Sequence, residues 1–325
     1  MSWLRILLLI SSLPALSSAF AQQSDPAAIQ WLQRIYSATQ KLSYTGTFVY
    51  QHDGQVETSR ITRIVDASGP VEKLEALDGV PREIIRSGEQ VVCYLPATHT
   101  VRIDKRSGRS PFPLILPDQI KELSENYTIH KGNVERVAGY DCQMILLKPR
   151  DSLRYGQKIC ADVASGMLLK AHIYSENRRL VEAFAFTQLQ IGGSIDRDKV
   201  KPKFAVKGKD WHVEDSGAAE ADLAEAGWSV KSQPPGFRKI TEMTRTLNGR
   251  SGVGHIVFSD GLAAVSVFIE PPAATGAAVP HLGLSRRGAI NIYTRQIGEH
   301  WVTVVGEAPS GSVKLIADAV EYRKP

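Results

Sequence analysis

The feature that most restricts the fold of this chain is a succession of short alternating segments between residues 42 and 193. The first, YTGTFVYQHDGQVETSRITRIV, predicts two strands around Asp53-Gly54, because Asp-Gly between alternating residues is a strong hairpin signal. PREIIRSGEQVVCYLP repeats this pattern around Ser87-Gly88. Further segments follow, each bounded by Gly, Pro, Asn, Asp or Ser. Short consecutive strands with tight turns predict one large antiparallel sheet, and a sheet of that many strands curls.

Two helices are predicted to accompany this sheet. Asp25-Pro26 is a helix start, with a capping carboxylate followed by proline at the first helical position. Apolar residues then recur at helical spacing, which predicts an amphipathic helix over 26–41 that can fill the concave side of the sheet. PDQIKELSE predicts a short second helix at about 117–125.

A second unit is predicted to begin near Gly227, where new alternating segments precede a terminal helix, GSVKLIADAVEY. We expect Ser312 to cap that helix and its apolar side to contain residues 315, 316, 319 and 320. This pattern predicts a small α+β domain. The glycine-rich NGRSGVGH, residues 248–255, is interpreted as a hairpin loop.

In two stretches of the chain the apolar residues follow neither the spacing of a helix nor the alternation of a strand. Residues 194–225 are rich in charge and are predicted to link the domains. Residues 271–287, PPAATGAAVPHLGLSRR, are rich in Ala, Pro and Gly. A long structureless loop of this kind is often functional, and a tolerated surface insertion is the alternative.

The first 21 residues have the pattern of a secretory signal peptide. Arg5 precedes an apolar run, and Ala19-Phe20-Ala21 fits a cleavage site. The apolar run is shorter than the roughly 20 residues that span a bilayer, although a retained N-terminal anchor is the alternative. The expected domains are therefore residues 22–203, a linker over 204–225, and residues 226–325.

The excess positive charge lies in the C-terminal third. Residues 226–325 contain 11 Lys and Arg against 7 Asp and Glu, whereas residues 22–225 contain 27 of each. The excess is typical of a mildly basic domain, and it also allows a weak attraction to an acidic peptide or an anionic lipid head group.

The chain contains three cysteines, and export makes a disulfide feasible. If GYDCQMILLKP and RYGQKICADV form a hairpin that turns near 149–153, Cys142 and Cys160 fall at mirror positions. Directly opposed residues have the spacing that a bridge needs, so Cys142–Cys160 is the predicted disulfide. Cys93 is then left over, as a buried apolar thiol.

No reaction-bearing motif is found. The chain lacks G-x-S-x-G, S-x-x-K, H-E-x-x-H and C-x-x-C, and its eight histidines are scattered. Basic pairs such as Arg178-Arg179 and Arg286-Arg287 lie near aromatic residues but do not form the continuous basic surface that binds nucleic acid. Export also argues against a nucleic-acid partner. We therefore predict no catalytic residue, no metal, no cofactor and no enzyme activity; a hydrolase whose site assembles only in space is the alternative.

The segment LDGVPREIIRSGEQVVCYLP, residues 77–96, carries apolar groups on both faces of its strands. Alternation places Ile84 and Arg86 on one face and Glu83 and Ile85 on the other. Cys93 and Tyr94 likewise face opposite sides. Such strands suit a cavity wall or a partner groove, and ordinary core packing is the alternative.

The chain resembles the periplasmic sigma-E regulators of the RseB/MucB family over nearly all of its mature length. The resemblance lies in LDGVPREIIRSGEQVVCYLP, which is similar to that family's D-G-x-x-R-E-x-x-x-x-G block, and in NYTIHKGNVERVAGYDCQMILLKPRDSLRYG. It continues in WSVKSQPPGFRKI, FSDGLAAVSVFIE and VGEAPSGSVKLIADAVEY.

The resemblance implies an α+β protein of the periplasm. Its large domain would be an antiparallel half-barrel like those of the LolA and LolB carriers, with helices over an apolar cavity, and its second domain would be a smaller α+β unit. It would bind the periplasmic domain of a transmembrane anti-sigma factor, shield it from proteolysis, and be released by lipopolysaccharide or another acyl lipid. The alternative is a periplasmic carrier of lipid or lipoprotein that uses the same cavity. Association of two copies into a homodimer is a further expectation that is left open.

No family motif supplies site residues, so these are predicted from alternation and loops. The predicted lipid-cavity residues are Phe48, Tyr50, Ile84, Tyr94, Phe184 and Phe186. The predicted partner-binding residues are Arg286, Arg287, His281 and Leu282.

Overall fold

A computed structural model of the chain describes residues 24–105, 120–204, 211–247, 249–272 and 281–324. The predicted signal peptide and the start of the predicted 117–125 helix lie outside these ranges. The helices within them are α1 (Pro26–Lys41), α2 (Ile120–Asn126) and α3 (Ser310–Asp318). None of these three helices is long and apolar enough to cross a bilayer.

The N-terminal two thirds of the chain builds one large sheet. Its strands are β1 (Tyr44–His52), β2 (Gln55–Asp66), β3 (Gly69–Ala76), β4 (Glu83–Ser87), β5 (Gln90–Leu95), β6 (Thr100–Lys105), β7 (Tyr127–Val137), β8 (Tyr140–Pro149), β9 (Gly156–Asp162), β10 (Leu168–Tyr174), β11 (Leu180–Ile191) and β12 (His212–Asp215). Their order across the sheet is β12-β6-β5-β4-β3-β2-β1-β11-β10-β9-β8-β7. The predicted hairpins at Asp53-Gly54 and Ser87-Gly88 are confirmed as β1–β2 and β4–β5.

The large sheet curls, as predicted. Tyr140 begins β8 and Leu189 lies in β11, which is three strands away in the sheet order. In a flat sheet those backbones would stand about 14 Å apart, since neighbouring strands are roughly 4.8 Å apart. The Tyr140 hydroxyl nevertheless donates a hydrogen bond to the Leu189 carbonyl oxygen at 3.1 Å.

Helix α1 covers part of the sheet as predicted. The Asp25 carboxylate accepts a hydrogen bond from the Ala27 backbone N–H at 2.9 Å and so caps the helix. The helix buries Ala28, Leu32 and Ile35 in a core shared with α2 and with β7 to β10. This core fixes the N-terminal segment on the sheet.

The predicted linker is more ordered than its sequence suggested. Residues 212–215 form β12, which pairs in parallel with β6, so the large sheet is not purely antiparallel. Residues 219–220 then form β13 (Ala219–Glu220), the first strand of the second sheet. The pairing comes from backbone hydrogen bonds. Charged side chains such as Glu214 and Asp215 do not prevent these bonds, so the charge-rich sequence showed no sign of the strand.

The second domain is a seven-stranded sheet with α3 on one face, and a two-stranded ribbon. Its further strands are β14 (Trp228–Val230), β15 (Arg238–Leu247), β16 (Arg250–Ser259), β17 (Ala264–Glu270), β18 (Gly283–Arg287), β19 (Ile290–Ile297), β20 (His300–Gly306) and β21 (Val320–Tyr322). The order is β13-β15-β16-β17-β20-β19-β18, and β14 pairs with β21. The predicted α+β class is confirmed.

Two sequence interpretations of this domain need correction. Residues 250–255 belong to β16 rather than to a hairpin loop, because glycine at 252 (φ 72°) and 254 still permits strand pairing. Residues 283–287 at the end of the proposed long loop form β18, whereas residues 273–280 lie outside the described ranges.

Helix α3 also differs from its prediction. Pro309, not Ser312, precedes the helix, and the buried residues are Ser312, Val313, Ile316 and Ala317. The buried face of the helix therefore differs from the predicted one, because Ser312 lies within the helix and faces the other domain. Its hydroxyl donates a hydrogen bond to the Leu153 carbonyl oxygen of the large domain.

The disulfide joins Cys142 and Cys160 with a Cα–Cα distance of 5.4 Å. The two residues are not directly opposed, because Cys142 pairs with Asp162 and Cys160 pairs with Met144. The expected register was wrong by two residues. The connection between β8 and β9 is centred later in the chain than the turn that the sequence suggested.

Candidate functional site

A pocket of about 170 Å³ lies between the domains, beside the end of β18. From the large domain, His52 and Asp53 in the β1–β2 hairpin and Arg179 in the turn before β11 line it. From the small domain it is lined by Arg286 and Gly288. The pocket therefore brings together two arginines, Arg179 and Arg286, that are separated by about a hundred residues in the sequence.

Two carboxylates hold the small domain at this pocket. Asp53 accepts a hydrogen bond from the Gly288 backbone N–H, and Glu182 accepts one from the Ala289 N–H at 2.9 Å. Gly288 has a φ of 61°, and a Cβ there would stand 3.0 Å from a Glu182 carboxylate oxygen. The close approach of the domains at this point therefore depends on glycine.

A hydrogen bond between Asn291 and Tyr155 continues the interface. The Asn291 side-chain amide donates to the Tyr155 hydroxyl at 2.9 Å, and both residues are buried. Burial raises the pKa of Tyr155, whereas the positive charges of Arg286 and Arg179 act in the opposite direction. Both guanidinium groups are thus close enough to this tyrosine to affect it.

The centre of the domain interface is a buried arginine. The Arg154 side chain has no exposed surface, and its guanidinium contacts Asp260 of the small domain at 2.8 Å and Asp151 at 3.0 Å. Tyr127 donates a second hydrogen bond to Asp260 at 3.1 Å. Arg154 also donates to the Pro235 carbonyl oxygen, so its charge is satisfied from both domains.

An aromatic cluster lies on the large sheet. The ring centroids of Phe48 and Phe184 are 5.0 Å apart, and those of Phe184 and Phe186 are 5.2 Å apart. Tyr50 packs against the same cluster. Four of the six predicted lipid-cavity residues are therefore adjacent.

The other two predicted cavity residues face opposite sides of the sheet. Ile84 pairs with Leu74, which in turn pairs with Ile61 of the aromatic cluster, so Ile84 shares the face of that cluster. Tyr94 pairs with Glu83 and points to the other face. A cavity bounded by the other five residues does not include Tyr94, and their contact with lipid stays a prediction.

A buried charge cluster borders the aromatic rings. Glu72 contacts the guanidinium groups of both Arg63, at 3.6 Å, and Arg86. Tyr44, whose ring centroid is 6.3 Å from that of Phe186, lies close to this cluster. Burial, followed by the charge of Glu72, raises the pKa of Tyr44 far above its usual value. Two cations and one carboxylate leave a net positive charge beside the apolar rings.

The four predicted partner-binding residues are all exposed. Arg286 and Arg287 end β18, and His281 and Leu282 directly precede it. Their role in partner binding stays a prediction. Sequence reasoning missed Arg154, Asp260 and Arg179, because each acts with residues of the other domain and no short motif marks them.

The described residues contain no group of three or more His, Cys, Asp or Glu side chains that could hold a metal ion.

Comparison with known proteins identifies the family. The model of the MucB/RseB N-terminal domain matches residues 27–204, and that of the MucB/RseB C-terminal domain matches residues 222–321. The sigma factor AlgU regulatory protein MucB of Pseudomonas aeruginosa is 32% identical over 320 residues, which cover 96% of this chain and 95% of that protein. The sigma-E factor regulatory protein RseB of Haemophilus influenzae is 25% identical over 317 residues and covers 96% of each chain.

A solved structure of a relative shares this architecture. The crystal structure of MucB in complex with MucA(peri) superposes with a TM-score of 0.68 at 28% identity, and it covers 92% of this chain and all of MucB. With 92% of this chain covered, the likeness extends over both domains. This chain therefore belongs to the MucB/RseB family.

Proposed function

We propose that this chain is a periplasmic negative regulator of an envelope-stress sigma factor pathway. In this proposal it binds the periplasmic domain of a transmembrane anti-sigma factor and shields that domain from proteolysis. The observation that carries the proposal is the likeness, over both domains, to a MucB that was solved in complex with MucA(peri). The absence of a catalytic motif in the sequence agrees with a binding protein.

The interdomain surface supports a role in partner binding. Arg179 and Arg286 line one pocket from opposite domains, and Arg287 follows on β18. A partner held there would contact both domains, so its affinity would depend on how the domains are arranged.

Release by an acyl lipid is the second part of the proposal. The aromatic cluster offers an apolar surface to an acyl chain, and Arg63 and Arg86 place positive charge beside it. An anionic head group would compete for the guanidinium groups that now contact Glu72. A lipid can release the partner only if it binds more tightly to the partner-free arrangement.

The test is a titration of the purified mature protein with the periplasmic segment of the host's anti-sigma factor, with and without lipopolysaccharide. We expect tight binding that lipopolysaccharide weakens. Arg86→Gln should reduce the effect of the lipid several-fold, because a charge-assisted contact is lost. Arg60→Gln is the matched control, since Arg60 is an exposed arginine on the adjacent part of β2.

A periplasmic carrier of lipid or lipoprotein is the alternative function, and the same aromatic cluster supports it. The carrier predicts acyl-chain binding without binding of the anti-sigma segment. Absence of segment binding to the wild-type protein, with acyl-chain binding intact, would favour the carrier and reject the regulator.

A further inference from the structure

Strand β18 has an open edge. It is the last strand of the small-domain sheet and pairs, among the described strands, with β19 alone. Arg287 pairs with Ile290 across the two-residue turn Gly288-Ala289, and such a turn is closed by a hydrogen-bonded pair. Alternation then directs the backbone N–H and C=O groups of Leu284 and Arg286 away from β19. These groups can form a ladder with another strand.

The side chains along this edge form a pattern. Leu282 and Leu284 are 52% and 51% exposed, and Arg286 follows two residues later on the same side of the strand. Leu284 stands opposite Tyr293, on the face where α3 packs. The edge therefore presents apolar, apolar and basic positions in alternation.

The basic end of β18 continues onto the large domain. Arg286 and Arg179 line the interdomain pocket. Arg178 precedes Arg179 in the same turn and lines a separate pocket of the large domain. Most arginines of the two domains form an ion pair with a carboxylate. Within the described residues, no such ion pair is formed by these four: Arg178, Arg179, Arg286 and Arg287.

The acidic residues near the pocket form backbone hydrogen bonds rather than ion pairs with these arginines. Asp53 and Glu182 already accept hydrogen bonds from the Gly288 and Ala289 backbone N–H groups. Glu176, exposed in the same turn as Arg178, is the nearest remaining acid along the chain. None of the four guanidinium groups thus has a carboxylate partner among the described residues, so an incoming carboxylate can bind them.

We propose that an extended acidic segment of the anti-sigma partner adds to β18 as a further strand and places a carboxylate between Arg286 and Arg179. The proposal rests on the proposed function and names the binding mode and the chemistry of the bound segment. Backbone pairing supplies affinity, and alternate side chains supply specificity. The segment would carry an acidic residue opposite Arg286 and apolar residues opposite Leu284 and Leu282, all spaced by two.

A second copy of this chain fits the edge less well. Pairing β18 with the β18 of another copy would add a second Arg286 and Arg287 to the same short ladder without adding a carboxylate, and the like charges would repel. Charge complementarity therefore selects an acidic segment as the occupant.

The first test uses two fluorescent nine-residue peptides of one composition. One carries Asp-x-Val-x-Val, and the other has the same residues with the aspartate and the valines adjacent. We expect the spaced peptide to bind at least about tenfold more tightly by fluorescence anisotropy, because only it can match alternate positions of a strand. Equal affinities would overturn the proposal.

Matched variants separate the backbone ladder from the side chains. Leu284→Pro removes one outward N–H and leaves the pairing with β19 intact, because proline is tolerated at strand edges. Leu284→Thr removes the leucine but keeps that N–H. We expect Leu284→Pro to abolish binding of the spaced peptide and Leu284→Thr to weaken it only a few-fold; equal effects would reject strand addition.

Charge reversal tests the contribution of both domains. Arg179→Glu and Arg286→Glu should each weaken binding about tenfold, whereas Arg60→Glu, a charge-matched exposed control, should change it less than about twofold. Circular dichroism checks the fold of every variant.

The outcomes distinguish this inference from the proposed function. If the anti-sigma segment binds wild type tightly and binds these variants equally well, this inference fails while the proposed function stands. If the segment does not bind wild type, the proposed function itself fails. A dimer that Leu284→Pro dissociates would identify a second copy as the occupant and reject the acidic segment.

Discussion

At the scale of single residues, Arg154 is the side chain on which the two domains most depend. It is fully buried and is held by Asp151 of its own domain and by Asp260 and the Pro235 carbonyl oxygen of the other. A buried ion pair contributes little net stability when complete, but removal of one partner leaves an uncompensated buried charge. The interface therefore tolerates substitution of both partners better than substitution of one.

We predict that Arg154→Met lowers the free energy of unfolding by about 3–5 kcal/mol, because Asp260 is left buried without its cation. Urea denaturation followed by circular dichroism measures the change. Arg197→Met is the control: Arg197 contacts Asp66 at the surface, and loss of such a pair changes stability by less than about 1 kcal/mol. Adding Asp260→Asn to Arg154→Met should recover part of the loss, because asparagine removes the charge and keeps an oxygen that can accept from the Leu262 and Ala263 backbone N–H groups. A further loss would contradict this explanation.

We also predict that Cys93 reacts slowly with iodoacetamide near pH 8. Burial raises the pKa of its thiol, against the opposing charges of Arg82 and Arg102, so less of the reactive thiolate is present than in a free cysteine. The rate should rise as the pH increases further. Mass spectrometry of the alkylated peptide measures it, and the same protein in urea provides the reference. Equal rates in the folded and unfolded protein would show that burial does not protect the thiol.

At the scale of elements, the sequence predicted those that local patterns encode. Helix α1 was expected from Asp25-Pro26 and its apolar spacing, and the two hairpins from Asp53-Gly54 and Ser87-Gly88. Strand β12 was not expected, because it pairs with β6, more than a hundred residues earlier in the chain. The inward stripe of α3 was misjudged for the same reason, since Ser312 is buried against the other domain.

The site residues show the same division. Alternation placed Phe48, Tyr50, Phe184 and Phe186 on one surface, because the residues of each pair are two apart on one strand and the two strands pair directly over this stretch. It could not place Arg179 beside Arg286, which meet only through the packing of the domains. In the sequence the two basic pairs are therefore about a hundred residues apart, with no pattern that connects them.

We predict slow amide hydrogen exchange at both ends of β12. The His212 N–H donates to the His99 carbonyl oxygen at 2.8 Å, and the Ser216 N–H donates to that of Ile103 at 2.9 Å. Exchange measured by mass spectrometry on a peptide over 211–217 should be retarded relative to the rate of an unstructured chain. Exchange at the unstructured rate would show that this strand does not pair with β6 in solution.

At the scale of the whole molecule, the domains are joined by buried polar contacts in addition to the chain itself. Asn291 with Tyr155, Ser312 with the Leu153 carbonyl, and Gly288 with Asp53 each cross the interface. Polar interfaces of this kind are common between domains that change their arrangement. They hold one arrangement in place together with an apolar contact, in which Leu262 of the small domain packs against the core of the large domain.

We predict one calorimetric unfolding transition for the wild-type protein, because these contacts couple the two cores. The double variant Arg154→Met and Asn291→Leu should separate the transition into two, since it removes two of the links without altering the centre of either core. Two separated peaks in the wild type would mean that the contacts couple the domains weakly. The single variant Lys231→Met, at an exposed site, serves as the control.

The short connection between β12 and β13 limits how the domains can move. Strand β12 ends at Asp215 in the large sheet and β13 begins at Ala219 in the small one, so only residues 216–218 belong to neither. Three residues reach at most about 10 Å when extended. While both strands stay paired, the domains cannot slide far apart and must instead rotate about this point. The displacement is then smallest beside the connection and grows with distance from it, so a small rotation at the pivot is amplified at the far side of the interface.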